Sequence, residues 1–398
     1  ISGWERAHGY ASNEHLLAEY GDRIPQREAE WDSRHFFRVS NAEHLKMSED
    51  VGMINLSHFA IIDVTGPDAA ALMEFACVAK VGGDTPIGKG VYTHFLDAVG
   101  GVRADLTVLR LGENHYRFID GADSGHRDLV WVQRMAKDFG FDAQVTNRTT
   151  DYGCLGVWGP NARATLEKIV DDPASISLEN YPFAAVKEIV INGVKYMGFR
   201  ISYVGEQGWE IHFEMQHGLA LWDALYAQGV TPIGIETYAN SRRLEKSLRL
   251  QNADILTEYN LLEVDLARPV VKKADFFGKL AYVGHREREH QPAYLCTITM
   301  NSNVDSSGIA RYPVGNCPIL DPDTGEALID SQGRRSYTTS IVYGPSIGKN
   351  IALGYLPYAY CEKGRQLEIE YFGDIYPVTV EAVGYGALYD PSNAKARS

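Results

Sequence analysis

The spacing of apolar positions changes once along the chain, near residue 290. Before it, one arrangement occurs twice. Ile61-Ile62-Asp63-Val64-Thr65 runs into Gly66-Pro67-Asp68-Ala69 and then into Ala70-Ala71-Leu72-Met73-Glu74-Phe75, whose apolar positions suit a helix. Leu155-Gly156-Val157-Trp158 runs into Gly159-Pro160-Asn161-Ala162 and then into Arg163-Ala164-Thr165-Leu166-Glu167-Lys168-Ile169-Val170. Each reads as a strand turning sharply into a helix, with proline at the first helical position, where its missing N–H would be unpaired anyway. The duplication predicts an α+β body built from two related halves.

Between the two units lie strand-like runs at 90–96, 106–111 and 115–119, separated by Gly100-Gly101 and Gly112-Glu113-Asn114. A helix is predicted from Gly218 to Ala227, with Leu219, Leu221, Trp222 and Leu225 grouped and Gly229 beyond its end. A second runs from about Thr237 through Leu250, with Leu244 and Leu248 one turn apart. Past His290, alternation takes over, as in Gln366-Leu367-Glu368-Ile369-Glu370-Tyr371 and Tyr376-Pro377-Val378-Thr379-Val380. Turn signals at Asp323-Thr324-Gly325, Gln332-Gly333 and Gly373-Asp374 complete the picture of a C-terminal β domain, barrel-like and closely packed on the rest.

Composition narrows the function classes. The 398 residues are 45% hydrophobic and 23% charged, an ordinary globular balance with material for a sizeable core. The net charge of -14 repels phosphate backbones and anionic lipid, so neither nucleic acid nor a membrane is an expected partner. No apolar run approaches the roughly 20 residues of a membrane span. Ile1-Ser2-Gly3-Trp4-Glu5-Arg6 carries no recognisable signal peptide and no initiator Met, so the numbered chain is expected to follow a processed or trimmed piece. The five cysteines, at 77, 154, 296, 317 and 361, are scattered and odd in number, which fits a reducing cytoplasm better than a disulfide framework. Cys77 and Cys154 read as packed thiols. Twelve histidines invite a metal reading, but the closely spaced pair His285 and His290 sits in a solvated charge run at an offset that suits one helical face poorly, so no metal site is expected.

No G-x-G-x-x-G, P-loop, G-x-S-x-G, H-E-x-x-H or paired-cysteine motif is present, so no FAD or NAD site of the Rossmann type is visible. Three other segments carry chemistry. Gly100-Gly101-Val102-Arg103-Ala104-Asp105-Leu106-Thr107 puts a carboxyl group at the mouth of an apolar strand, where partial burial suits an acid or base. In Ser202-Tyr203-Val204-Gly205-Glu206-Gln207-Gly208-Trp209-Glu210, two glycines permit a tight backbone turn that brings Tyr203 and Glu210 toward one ligand. Arg242-Arg243-Leu244-Glu245-Lys246 is followed by Leu262-Glu263-Val264-Asp265-Leu266 and by Ala274-Asp275-Phe276-Phe277-Gly278-Lys279.

In order and spacing, these segments resemble the glycine-cleavage T-protein (aminomethyltransferase) superfamily. Tyr203 to Glu210, the opening Gly3-Trp4-Glu5-Arg6 and the terminal Tyr389-Asp390-Pro391 are most similar to the tetrahydrofolate-binding part of its dimethylglycine and sarcosine dehydrogenase branch. The resemblance implies a three-lobed α+β fold around a central folate pocket, with a folate-binding region over 1–285 and a C-terminal β-barrel-like domain over 286–398. It implies that Glu210 holds the pterin, which suits a carboxylate that only accepts hydrogen bonds facing an aminopyrimidine edge with adjacent donors. It further implies that Tyr203 contacts the folate, that Thr107 and Asp105 face its reactive nitrogens with Asp105 catalytic, and that Tyr92 and Arg243 are looser contacts.

Ordinary structural readings stand beside these. Asp105 also suits a strand-end turn, Glu210 a solvent-facing strand position, Arg243 a salt bridge, and Trp209 the core. The chain departs from the family at Ala104, where T-proteins carry a first aspartate, and at Gln251-Asn252-Ala253, Asp265 and Tyr385. Those departures bear on the substrate more than on tetrahydrofolate. The expected activity is a tetrahydrofolate-dependent transferase, a demethylase or aminomethyltransferase taking a methyl or methylene group from a small methylated N-, O- or S-compound. One alternative is the folate-binding subunit of an amine dehydrogenase or oxidase whose flavoprotein is a separate chain. Another is a non-catalytic folate sensor, although the Lys-Gly-Cys-Tyr-type motif of such proteins is absent. A flavoprotein partner or a homo-oligomer are the assemblies considered.

Overall fold

The computed structural model describes residues 2–27 and 37–398, and three sheets organise them. The first contains the strands Gly52–Asn55, Tyr152–Trp158, Gly208–Glu214, Val194–Phe199 and Val186–Ile191, with the short Thr231–Pro232 at its edge. The second runs in the order Lys89–Leu96, Val102–Gly112, His115–Asp120, Ala60–Thr65 and Gln144–Asn147. All six strands of the third lie between Ala293 and Val383, where the alternating pattern begins and ends. It is antiparallel throughout, and Pro377 occupies a position opposite Glu368 within it. Each sheet has its own apolar cluster: Ile62, Leu72, Phe95 and Phe118 in the second, Val157, Trp209, Ile211 and Leu221 in the first, and Ile298, Ile319, Ile369 and Val378 in the third.

The duplicated unit is present in both halves, with two corrections. Ala60–Thr65 leads to the helix Ala69–Ala76, and Tyr152–Trp158 leads to Ala162–Leu166. Pro67 and Pro160 stand in the turn two residues ahead of the helices rather than at their first position. The second helix also ends at Leu166 rather than at Val170, with turns following. The glycine is the essential part of the turn. Gly159 has φ +141°, and a Cβ there would lie 2.1 Å from the carbonyl oxygen of Asp50.

Gly218–Tyr226 is helical as the apolar grouping predicts. The helix expected to reach Leu250 does not. The chain winds as a π-helix over Thr237–Arg242 and an α-turn over Arg243–Glu245, then breaks at Ser247, whose φ is +52°. Leu244 and Leu248 are therefore not neighbours on one helix, and residues 248–251 continue as irregular chain along the centre of the molecule. Tertiary demands outweigh helical spacing here. Arg242, Arg243, Glu245 and Lys246 are all buried, and each needs polar partners from a different direction. Arg242 pairs with Glu206 at 2.7 Å, Arg243 with Asp254 at 2.7 Å, and Glu245 accepts from the backbone N–H of Ser346. Lys246 donates to the carbonyls of Tyr389 and Asp390. A regular helix could not aim four polar groups within five residues at such scattered targets.

Candidate active site

The site begins with an alternation. Along Val102–Gly112, Ala104, Leu106 and Val108 point into the second sheet's core, which turns Asp105 and Thr107 to the opposite face. The neighbouring strand pairs Tyr92 with Thr107 and His94 with Asp105, so cross-strand partners share that face. From the first sheet, Trp209, Ile211 and Phe213 enter the core and leave Glu210 and His212 on the other side of Gly208–Glu214. Gly208 fixes the approach. Its φ is +155°, and a Cβ would fall 2.0 Å from the carbonyl oxygen of Val157.

These faces meet across a cavity of about 550 Å³, within the roughly 300–1,000 Å³ usual for small-molecule sites. Tyr92, Asp105, Thr107, Tyr203 and Glu210 all line it. Arg243 does not. It lines a neighbouring cavity, and its N–H groups serve Ala239, Leu248, Asp254 and Ser340, so the expected folate contact gives way to the salt-bridge reading. Of the positions that depart from the family pattern, Gln251, Asp265 and Tyr385 line the same cavity, whereas Ala104 is buried in the second sheet's core; the backbone N–H of Tyr385 donates to Asp265 at 2.7 Å.

The sequence reading missed several participants. Tyr238 lines the cavity with its ring 5.1 Å from that of Tyr203, an orientation that depends on the π-helical winding and has no signature in apolar spacing. Asp120 and Arg249 also line it. His94 stands behind the wall, and its signal was its offset of two from Tyr92. Cys154 is a packed thiol, as expected, in the apolar cluster of Met47, Ile54 and Trp158. It faces His212 across paired strands with Sγ 3.8 Å from Nε2, and the same nitrogen lies 3.7 Å from Glu210 Oε2. Cys154, Glu210 and His212 form the one cluster of donors among the described residues spaced for a metal ion. His285 and His290 are not in it.

The electrostatics separate the acids. Burial pushes Asp105 up to about 7, against the lowering effect of a hydrogen bond from Tyr92. Its Oδ1 is buried and has no hydrogen-bond partner among the described residues, and the same holds for Gln251 Oε1. Such atoms are costly unless a ligand completes them. Glu210 is 7% exposed and opens onto the cavity. The Tyr203 hydroxyl is already committed as a donor to the carbonyl of Arg249 at 2.6 Å, which leaves its ring face and one lone pair for a ligand. Asp120 is raised by burial and then by the neighbouring Asp128 carboxylate. The arrangement offers an acceptor-only edge at Glu210, aromatic faces at Tyr203 and Tyr238, and a proton-exchanging carboxyl at Asp105.

Residues 1–274 match the model of the GCVT N-terminal domain, and residues 316–383 match that of the glycine cleavage T-protein C-terminal barrel domain. The chain belongs to the glycine-cleavage T-protein family. As a T-protein family member it is 31% identical over 359 residues to an aminomethyltransferase of Listeria monocytogenes serotype 4b, covering 89% of this chain and 91% of that one. It is 29% identical over 386 residues to the mitochondrial dimethylglycine dehydrogenase of Rattus norvegicus, covering 95% of this chain but only 41% of the relative. The chain thus spans about two fifths of the length of the first curated relatives it matches. The glycine cleavage system aminomethyltransferase T from Bartonella henselae has the same fold, with a TM-score of 0.77 over 98% of this chain and 93% of that one at 22% identity. Among the described residues, no helix is long and apolar enough to cross a membrane.

Proposed function

We propose that this T-protein family chain binds tetrahydrofolate in the central cavity and transfers a one-carbon unit to it from a small methylated N-, O- or S-compound. The observation that carries the reading is the meeting of Asp105, Tyr203 and Glu210 around one cavity, with Asp105 Oδ1 and Gln251 Oε1 left for a ligand to complete. Glu210 accepts from the aminopyrimidine edge, a charge-assisted contact of roughly 1.5–3 kcal/mol. Tyr203 offers a ring face to the flat heterocycle, Thr107 and Tyr92 border the reacting end, and Asp105 holds or releases a proton there near neutral pH. Reduced folate, when bound, supplies the nitrogen that receives the carbon. Holding donor carbon and acceptor nitrogen in line contributes about 7–11 kcal/mol to such a reaction.

A second reading is favoured by the likeness to dimethylglycine dehydrogenases over 95% of this chain: the cavity takes its one-carbon unit from a flavoprotein, as the folate-binding part of an amine dehydrogenase or oxidase. Incubation with tetrahydrofolate and a panel of N-, O- and S-methyl compounds, read by mass spectrometry, distinguishes the two. Methylfolate formed by the chain alone supports direct demethylation. Methylene-folate formed only with a flavoprotein supports the second reading, and no heat on calorimetric titration with tetrahydrofolate defeats both.

A further inference from the structure

His94 lies on the cavity face of its strand, directly opposite Asp105, yet does not itself line the cavity. Only 1% of it is exposed. Its Nε2 is 3.2 Å from the Tyr92 hydroxyl and 3.7 Å from Asp105 Oδ1, while its Nδ1 is buried with no partner among the described residues. Both available acceptors therefore lie on the Nε2 side. A buried imidazole keeps its single proton where an acceptor can take it, so the Nε2–H tautomer is the stable one.

We propose that His94 is a positioning residue of the transfer reaction: its Nε2–H donates to the Tyr92 oxygen and so turns the Tyr92 hydroxyl proton toward Asp105. The inference rests on the reading of Asp105 as the proton-handling group of the folate cavity. With the opposite tautomer, Nε2 would accept from Tyr92 instead, and the carboxylate would lose its donor. Among the described residues, the titratable groups that act on the imidazole are Tyr92 on its own strand, Asp105 on the neighbouring strand and Arg268 from a later segment. Arg268 donates to the backbone carbonyl of Tyr92, and burial followed by its charge lowers His94 to about 3, so the ring is neutral at working pH. A neutral ring has one proton to place, which is why the tautomer decides the direction of the chain of hydrogen bonds.

The ¹⁵N shifts of His94 in the ligand-free protein test this directly. An Nε2–H signature supports the relay, and an Nδ1–H signature overturns it. The second test uses 5-methyltetrahydrofolate as the probe, with binding heats measured in buffers of different ionisation enthalpy to count protons across pH. In the wild type the proton linkage should inflect near 7, where Asp105 titrates. Loss of a donor disfavours the carboxylate, so His94→Leu should move that inflection up by roughly one pH unit. His94→Gln, which retains an N–H donor, should restore most of it. Because His94 acts through Tyr92, His94→Leu should have no further effect in a Tyr92→Phe background. An unmoved inflection, or an equal shift in both backgrounds, overturns the inference. If the wild type binds no folate, the functional reading fails, and the ligand-free tautomer measurement still judges His94.

Discussion

Replacing Glu210 by Gln removes one charge and converts one acceptor oxygen into a donor without changing the shape of the side chain. Glu210 sits in mid-strand, paired through its backbone with Gly156 on one side and Phe199 on the other, so the substitution should leave the sheet intact. Among the described residues, the one basic side chain within 4 Å of its carboxylate is His212, at 3.7 Å. The carboxylate is therefore not consumed by internal partners, and its loss should be felt at the ligand. Two neutral-donor contacts to a buried carboxylate become one contact and one opposed N–H pair. A charge-assisted hydrogen bond contributes roughly 1.5–3 kcal/mol, which converts to a roughly 10- to 150-fold weaker Kd. Isothermal titration of 5-methyltetrahydrofolate into both proteins reads this directly, with thermal unfolding as the control for folding. Equal affinity in a folded Glu210→Gln protein would refute the assignment of Glu210 to the pterin edge.

Asp105→Asn, which mimics the protonated acid, should keep the folate affinity the wild type shows below pH 7 while reducing one-carbon transfer by roughly 10²–10⁴-fold, as measured by product formation. The same substitution should stabilise the fold in mild alkali. The folded-state value of about 7 exceeds the unfolded one, so the folded state holds an extra proton between about pH 4 and 7, and stability falls as pH rises through that window. At pH 8 the wild type carries the whole penalty, at most about 4 kcal/mol, and the Tm of Asp105→Asn should exceed it there but not at pH 4. Arg243→Met should strand the fully buried Asp254 at a cost of about 3–5 kcal/mol, visible as a lower denaturation midpoint, with the folate affinity of the molecules that remain folded unchanged. Gly208→Ala meets both a left-handed backbone and the Val157 carbonyl at 2.0 Å, and should cost more than about 1 kcal/mol in thermal denaturation.

The parts of this molecule that follow local rules were legible in its sequence. Alternation in Ala104-Asp105-Leu106-Thr107-Val108 tells which side chains share a face, and the repeated glycine-proline turn marks the duplicated halves. Gly205 and Gly208 both have positive φ, as the tight turn between Tyr203 and Glu210 requires. What local rules could not supply was the path from Thr237 to Gln251. There the spacing of Leu244 and Leu248 is helical, but four buried polar side chains with partners in separate lobes set the backbone instead. The two readings of Arg243 stayed level for the same reason: an arginine next to a pocket motif looks the same in sequence whether it meets a ligand or, as here, an aspartate eleven residues on. His94 and Tyr238 act through tertiary geometry, which a single sequence does not display.

The lining of the cavity is drawn from all three lobes, with Asp105 from the second sheet, Glu210 from the first and Tyr385 from just beyond the last strand of the third. No lobe alone supplies this lining, so the cavity exists only as a property of their docking. A ligand that bridges the walls then acts as a fastener, adding RT ln(1 + [L]/Kd) to the stability of the docked arrangement over any loosened one. Weak spots far from the cavity, in the sockets that hold Glu206, Glu245 or Lys246, should therefore masquerade as binding defects. Saturating folate should rescue them, while leaving a true contact mutant unrepaired at the same dose.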